Sequence, residues 1–308
     1  MYSSEEFLAK LAQQRIEVGR LSSQSGGNSL LYNFRINDDE FILKVYLGEK
    51  DRICTSRERE RNAYIFLHSN NFHKLPRIIE EINISNGICL EFVKGKRPKW
   101  NRRTNLEIQE SCLKLKNIFE KNQTFDNAID STFSSHDILD QLESRLENLK
   151  KKSNPESIDL LKTFDKLRRR EQIEFPTSGL TYSLSDIGAH NMIKNQNKFY
   201  HIDLEFFGRD SAVKMFIDYL LHPQNEMSSQ NRIQTIRFAT KHFGLDLDLI
   251  VSAVPFFAAK WATIVARRMY LMYAQQDIKL LRKTFREYIE IASLNSNSEI
   301  YSKLKSSR

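Results

Sequence analysis

Residues 185–191 read SDIGAHN, and residues 201–205 read HIDLE. Between them, two short runs of strand-forming residues flank a polar turn at 195–197, a pattern that predicts a small hairpin. Asn191 follows Asp186 by five positions, and Asp203 comes after the hairpin. The segment therefore places two carboxylates and one amide at the ends of short strands.

These three side chains offer the groups that phosphoryl transfer needs. A carboxylate must orient the attacking hydroxyl and accept its proton, while an amide oxygen and a second carboxylate bind Mg²⁺. The spacing D-x4-N matches the catalytic loop of kinases, in which the Asp is the base and the Asn a metal ligand. That spacing arises often by chance. The hydrophobic strand ending in Ile202-Asp203 makes the pattern more specific.

The front of the chain is rich in strand formers, and the remainder has mostly helical periodicity. Strands are predicted at 30–36, 40–46, 75–84 and 87–93, with a helix at 57–68 and a short capped helix opening the chain. Helices are predicted at 108–119, 138–149, 158–167, 211–221, 229–243, 246–275 and 278–293. This order predicts an α+β protein with two segregated lobes. We expect an antiparallel-sheet N-lobe at 1–93 and a mostly helical C-lobe at 94–308.

Residues 180–223 resemble the aminoglycoside phosphotransferase and choline-kinase-like family, which has a protein-kinase-like fold. The resemblance rests on SDIGAHN and HIDLE, on FGRD at 207–210 and on DYLLHP at 218–223. It is most similar to a bacterial branch whose motif reads S-D-x-G-x-H-N and then I-D-x-E-x-x-G. A weaker, collinear similarity covers 20–100.

The resemblance implies a role for each matching residue. Asp186 would be the catalytic base, and Asn191 and Asp203 would bind Mg²⁺. Asp218 would support the catalytic loop. The sequence departs from the family at the usual His-Gly-Asp, which reads Leu184-Ser185-Asp186 here; because that His is mainly a structural prop, the departure bears little on catalysis.

Lys44 is the candidate cation for the nucleotide phosphates. It lies in the apolar run FILKVY at 41–46, where burial is costly unless the ammonium group is paired. The family pattern places the nucleotide-binding lysine at the end of such a strand and pairs it with a helix glutamate. Glu58 and Glu60 are both candidates, and Glu60 suits the family helix better because it lies seven positions before Leu67.

Two further segments are expected to contact ATP. Gly26, Gly27 and Asn28 precede the first hairpin and could cover the phosphates with backbone N–H groups. The segment from Glu91 to Val93 occupies the hinge position, where backbone groups would bind adenine. The glycine pair is by itself a weak signal, because an ordinary loop has the same composition.

The net charge of +8, from 47 Lys and Arg against 39 Asp and Glu, is modest and spread along the chain. The basic runs at 150–152 and 168–170 are typical of solvated helix faces, with an anionic partner as the alternative. No zinc-ligand spacing or aromatic-rich basic motif indicates nucleic acid binding. The sequence leaves the purpose of the basic stretch 145–171 open.

Other features predict a soluble cytoplasmic protein. Three isolated cysteines fit a reducing compartment, and the N-terminus has no signal-peptide pattern. The apolar stretch at 251–266 is interrupted by Pro255 and Lys260 and is expected to be a buried helix rather than a membrane span.

We therefore expect an enzyme that uses ATP and Mg²⁺ to phosphorylate a hydroxyl of a small molecule, such as a sugar or another polar metabolite. One alternative is a non-catalytic nucleotide-binding pseudokinase, which the presence of all four key polar residues disfavours. The other is a protein Ser/Thr kinase, disfavoured by the long helices within 101–175. His190, His201 and His222 are expected to be structural. The sequence indicates neither the acceptor nor the oligomeric state.

Overall fold

The computed structural model describes residues 3–14, 16–21, 29–151, 155–271 and 275–305. The chain forms two compact units, one made of Met1–Pro98 with His190–Phe207 and the other of Lys99–Ala189 with Gly208–Arg308. Strands dominate the first unit and helices the second. The predicted α+β class, with an antiparallel sheet in the first unit and a mostly helical second unit, is confirmed.

The first unit is built on a four-stranded antiparallel sheet in chain order. Its strands are β1 Val18–Leu21, β2 Ser29–Ile36, β3 Asp39–Tyr46 and β4 Gly87–Glu91. Strands β2 and β3 meet in a two-residue turn, where Asn37 has a φ of 55°. Asparagine tolerates this left-handed conformation better than most residues do. The predicted hairpin at this place is therefore present.

Two helices and a second hairpin complete the first unit. Helix α1, Ser4–Gln13, begins with the predicted capping box of Ser3 and Glu6. Its Phe7 is part of the apolar core of the sheet. Helix α2 spans Lys50–Ser69 and begins seven residues earlier than predicted. The second hairpin pairs β6, Met192–Asn195, with β7, Lys198–His201.

The predicted strand at 75–84 does not form as a continuous strand. Ile78 and Ile84 make only isolated bridges, to Leu90 and Gly87. A turn lies between them, in which the Ile82 N–H donates to the Ile79 carbonyl. The turn divides the run: on one side of it the Ile79 N–H still donates to the Cys89 carbonyl of β4, but no continuous strand forms, although the run is rich in β-branched residues that favour strands.

The second unit is mainly helical, with one two-stranded sheet of β5, Leu180–Ser183, and β8, Gly208–Ser211. Its helices are α3 Arg102–Lys121, α4 Ser135–Lys151, α5 Ser157–Arg168, α6 Ala212–Leu221, α7 Ser229–Phe243, α8 Leu247–Leu271, α9 Gln275–Ser293 and α10 Asn297–Lys305. Gly244 ends α7 with a φ of 64°, the left-handed closing conformation that glycine adopts most easily. The two strands and α10 were not predicted.

Helix α8 runs through Pro255 without a break, so the helix predicted at 246–275 is present as one continuous helix over Leu247–Leu271. With 25 residues, the helix is long and apolar enough to cross a membrane by composition alone. However, 78% of its most apolar window is buried within the protein. This burial agrees with the prediction of a buried helix.

Candidate active site

Strand β3 carries Lys44 into the interior of the first unit. Leu43 and Val45, which point to the face opposite Lys44, are buried, and so is Lys44 itself, so the strand is covered on both faces. The Lys44 side chain is only 8% exposed. Its Nζ lies 2.6 Å from Glu60 Oε2 and 2.5 Å from Asp203 Oδ1. Two carboxylates therefore hold one buried ammonium group.

Glu60, on α2, is the carboxylate partner with no exposed surface. Besides Lys44, it accepts a hydrogen bond from the Tyr46 hydroxyl at 2.5 Å and from the Leu204 N–H at 3.2 Å. Glu58 is exposed. Of the two glutamates that the sequence suggests as partners of Lys44, it is therefore Glu60 that forms the ion pair.

Electrostatics keep Lys44 charged. Burial alone lowers the pKa of the Lys44 ammonium, but the negative charges of Glu60 and then Asp203 outweigh it and hold that pKa above its usual value. A permanent positive charge on Lys44 suits a phosphate ligand, since an ammonium acts on phosphates as a point charge.

Asp203 combines an unusual backbone with a partly open side chain. Its φ is 65°, and its side chain is 39% exposed although Oδ1 contacts Lys44. Non-glycine residues in this conformation cost of order 1–3 kcal/mol, and such residues cluster at functional sites. The outlier motivates a functional hypothesis for Asp203 beyond its ion pair.

The β6–β7 hairpin brings Asn191 to the same end as Asp203. Met192 pairs with His201, and beyond that pair the Asn191 carbonyl accepts a hydrogen bond of 3.0 Å from the Ile202 N–H. The backbone thereby brings a residue with an amide oxygen and a residue with a carboxylate to one end of the hairpin. Both are hard donors of the type that Mg²⁺ prefers, so these residues fit the expected ion.

Asp186 lies in the second unit, in the loop after β5. The loop is tightly turned: Ser185 has a φ of 58°, its N–H donates to Ser183 Oγ, and the Asp186 N–H donates to the Leu184 carbonyl. Asp186 Oδ1 lies 3.1 Å from His222 Nε2. The carboxylate is 36% exposed, so this turn presents it with access to solvent.

Asp218 is buried in α6 and contacts two lysines and an indole. Its Oδ1 accepts a hydrogen bond of 2.9 Å from Trp261 Nε1, and its Oδ2 lies 3.3 Å from Lys260 Nζ and 3.4 Å from Lys214 Nζ. Burial would raise the pKa of Asp218, but Lys260 and Lys214 hold it below its usual value. Asp218 is therefore an ionised anchor between α6 and α8.

The remaining predicted ATP contacts involve the glycine-rich segment before β2 and the predicted hinge. Gly26, Gly27 and Asn28 lie outside the described residues. At the predicted hinge, the Glu91 N–H donates to the Arg77 carbonyl, and the N–H of the next residue donates to the Glu40 carbonyl. Adenine contacts at this segment stay a prediction that must rely on other backbone groups, such as those of Val93.

Sequence reasoning missed the contact between His222 and Asp186. One signal was available: Asp210, Lys214, Asp218 and His222 recur every four residues across the predicted helix at 211–221. This spacing puts them on one helix face. Polar side chains on a single buried face indicate a network rather than four separate structural residues.

His201, the last residue of β7, predicts a dependence of stability on pH. Burial first, and then the nearby Lys74 ammonium, lowers the pKa of His201 from 6.5 to about 3. Because only the unfolded state binds this proton between those values, the free energy of unfolding should fall as the pH drops below about 6.5, by up to about 1.4 kcal/mol per pH unit.

Urea titrations between pH 7.5 and pH 4.5 would measure this slope. His201→Gln should flatten it, whereas His136→Gln, at an exposed histidine, should leave it unchanged. An equal slope in wild type and His201→Gln would contradict the assignment.

The comparisons with known proteins place the fold. No protein-family model matches the sequence, and no curated protein matches it. Solved structures do match: a choline kinase from Cryptosporidium parvum Iowa II superposes with a TM-score of 0.67 at 12% identity, over 94% of this chain and 95% of that one.

Two further solved structures match over nearly their whole length. The amicoumacin kinase hAmiN, in complex with AMP-PNP, Ca²⁺ and Ami, has a TM-score of 0.62 at 12% identity, covering 97% of each chain. A spectinomycin phosphotransferase, in complex with ADP and spectinomycin, has a TM-score of 0.57 at 14% identity, covering 98% of each chain. The chain therefore has the protein-kinase-like fold that choline kinases and aminoglycoside phosphotransferases share.

Proposed function

We propose that this protein transfers the γ-phosphoryl group of ATP to a hydroxyl of a small molecule, assisted by Mg²⁺. The observation that carries the proposal is the buried Lys44, held between Glu60 and the partly exposed Asp203. A plain structural ion pair would account for Lys44 and Glu60. It would not account for a third charged group with a strained backbone and an accessible carboxylate.

The same group of residues supports ATP as the nucleotide and Mg²⁺ as the metal ion. ADP and AMP-PNP with Ca²⁺ occur in structures that share this fold, which supports ATP and a divalent cation here. Lys44 binds the phosphates, Glu60 orients Lys44, and Asn191 and Asp203 hold Mg²⁺. When bound, the ion would neutralise charge on the phosphates.

The protein groups then divide the remaining work. Asp186 orients the acceptor hydroxyl and receives its proton, and Lys44 stabilises the charge that develops on the transferred group. Residues 1–93 form the nucleotide-binding lobe, with Gly26, Gly27, Asn28 and the segment from Glu91 to Val93 as further ATP contacts. Residues 94–308 supply the catalytic and metal loops and the acceptor pocket.

The acceptor is a polar metabolite such as a sugar, in the cytoplasm. Three of the structures that share the fold, those of choline kinase, amicoumacin kinase and spectinomycin phosphotransferase, bear the names of small-molecule kinases. This favours a small molecule over a protein as the acceptor.

A screen of ATP consumption over a metabolite library, with a peptide library in parallel, tests the proposed function. We expect turnover with one chemical class of hydroxyl compound and none with peptides. Turnover of peptides would identify a protein kinase instead. Nucleotide binding without consumption of ATP under any condition would support a pseudokinase.

The metal assignment predicts that ATP stabilises the protein more in Mg²⁺ than in EDTA. Asp203→Ala should abolish this difference because it removes a carboxylate ligand. The measurement is the shift in Tm on adding ATP, with and without Mg²⁺. Glu58→Ala, which removes an exposed carboxylate of the same unit, is the matched control and should retain the difference. A full magnesium effect in Asp203→Ala would refute the assignment.

A further inference from the structure

A buried polar stripe follows one face of α6 and ends at the Asp186 loop. Asp210 precedes the helix, Lys214 and Asp218 lie within it, and His222 caps its end. All four residues are buried. Lys214 Nζ lies 2.7 Å from Asp210 Oδ2 and 3.4 Å from Asp218 Oδ2. Consecutive members up to Asp218 are therefore in direct contact.

The hydrogen bonds of His222 define which ring nitrogen carries its proton. The Gln224 N–H donates to His222 Nδ1 at 3.2 Å, so Nδ1 acts as an acceptor and has no hydrogen. In this tautomer the proton is on Nε2, which lies 3.1 Å from Asp186 Oδ1. Neutral His222 therefore donates an N–H···O bond to the carboxylate of Asp186.

The orientation of the imidazole is fixed by packing. The ring of Trp261 meets the His222 ring edge to face, with centroids 4.8 Å apart and an interplanar angle of 84°. Trp261 is itself anchored, because its Nε1–H donates to Asp218 Oδ1 at 2.9 Å. Asp218 of the stripe therefore fixes Trp261, and the Trp261 ring in turn fixes the orientation of the His222 ring.

A second contact ties the same helix end to the same loop. The Asn225 side-chain amide donates to the Ile187 carbonyl, next to Asp186, and to the Tyr219 carbonyl in α6. Two contacts therefore connect the end of α6 to the loop: His222 contacts the side chain of Asp186, and Asn225 contacts the main-chain carbonyl of Ile187. The side chain of Leu184, two residues before Asp186, has no polar group with which to make such a contact.

We propose that His222 is a positioning residue for Asp186, holding Oδ1 so that Oδ2 receives the acceptor's proton. This inference rests on the proposed function. In the transfer, the hydroxyl oxygen forms the new O–P bond, the bond to the departing oxygen of ADP breaks with its electrons, and the proton moves to Asp186. His222 donates a hydrogen bond throughout and exchanges no proton itself.

Two variants separate the donor from the ring. His222→Phe keeps an aromatic ring against Trp261 and removes the donor, whereas His222→Gln keeps an N–H group of similar reach. We expect His222→Phe to lower kcat on the order of 10-fold, with the KM for ATP within about twofold, because one hydrogen bond no longer orients the base. His222→Gln should recover most of the lost kcat.

A purely structural role would give other results. Equal kcat losses in His222→Phe and His222→Gln, or losses that also raise the KM for ATP, would overturn the proposal. In an Asp186→Asn background, His222→Phe should lower kcat far less than in the wild type, because the two residues act through one contact. An undiminished effect there would also overturn it. Should His222→Phe fail to fold, His222→Met serves as the variant of similar volume without a donor.

The proposed function and this inference fail in different ways. Absence of ATP consumption with every acceptor would remove the proposed function, and full activity of Asp186→Asn would remove Asp186 from the mechanism. Turnover that depends on Asp186 but is unaffected by His222→Phe would leave the function standing and remove only the positioning role.

Discussion

Asp186→Asn is expected to lower kcat by at least about 10²-fold while leaving the Kd for ATP nearly unchanged. General-base assistance typically contributes 10²–10⁴-fold in rate, and the amide of Asn cannot accept the proton. Asn is nearly isosteric with Asp, and its carbonyl oxygen can still accept the hydrogen bond that His222 Nε2 donates to Asp186. The fold and the loop should therefore survive the change.

The measurement combines turnover with the acceptor found by screening, an ATP titration and a melting curve. Asp165→Asn, which makes the same chemical change at an exposed position of α5, is the matched control and should behave as the wild type. Near-normal turnover of Asp186→Asn would remove Asp186 from the mechanism. A collapse of ATP binding would instead mean that the roles of Asp186 and Asp203 had been exchanged.

Local sequence signals predicted much of this arrangement because they are governed by short-range physics. The polar turn at 195–197 between strand formers predicts a hairpin, and a hairpin necessarily brings Asn191 and Asp203 to one end. Similarly, a lysine buried in an apolar strand needs a carboxylate partner, and the alternating charges of α2 supply two glutamate candidates for Lys44, Glu58 and Glu60. Burial then separates them, because Glu60 is enclosed and Glu58 is exposed.

The features that were missed depend on contacts between distant parts of the chain. Strands β5 and β8 have four residues each, and each is stabilised by the other rather than by its own propensity. The helix that was predicted at 246–275 also depends on tertiary packing, because the roughly 3 kcal/mol that Pro255 costs a helix interior is offset by burial of the surrounding apolar residues. The sequence around His222 does not indicate a contact with Asp186, which lies far away along the chain, so a structural role is what the sequence alone predicts for His222.

The second large effect is expected at Lys44, where substitution should cost stability as well as nucleotide binding. Lys44→Met leaves Glu60 fully enclosed with no positive partner. Removing one partner of a buried ion pair typically costs about 3–5 kcal/mol, because the remaining charge is uncompensated. Urea unfolding of the variant would measure this loss, and Lys50→Met, at an exposed lysine of the same unit, provides the matched control.

Adding Glu60→Gln to Lys44→Met should restore part of the lost stability. The double variant has no isolated charge at this pair, and the Gln side-chain carbonyl can still accept the hydrogen bond that the Tyr46 hydroxyl or the Leu204 N–H gives to Glu60. Such a rescue is the sign of two groups that interact directly. A double variant as unstable as the sum of the two single variants would show that the pair is not energetically coupled.

The rescued variant then separates the structural role of Lys44 from its role toward ATP. Stability should return in part, but affinity for ATP should remain lower by about 10- to 100-fold, the value of a lost charge-assisted hydrogen bond of roughly 1.5–3 kcal/mol. Calorimetric titration with ATP and Mg²⁺ at a temperature where every variant is folded measures this directly. If the double variant binds ATP as tightly as the wild type, Lys44 is only a structural cation and the proposed phosphate site is wrong.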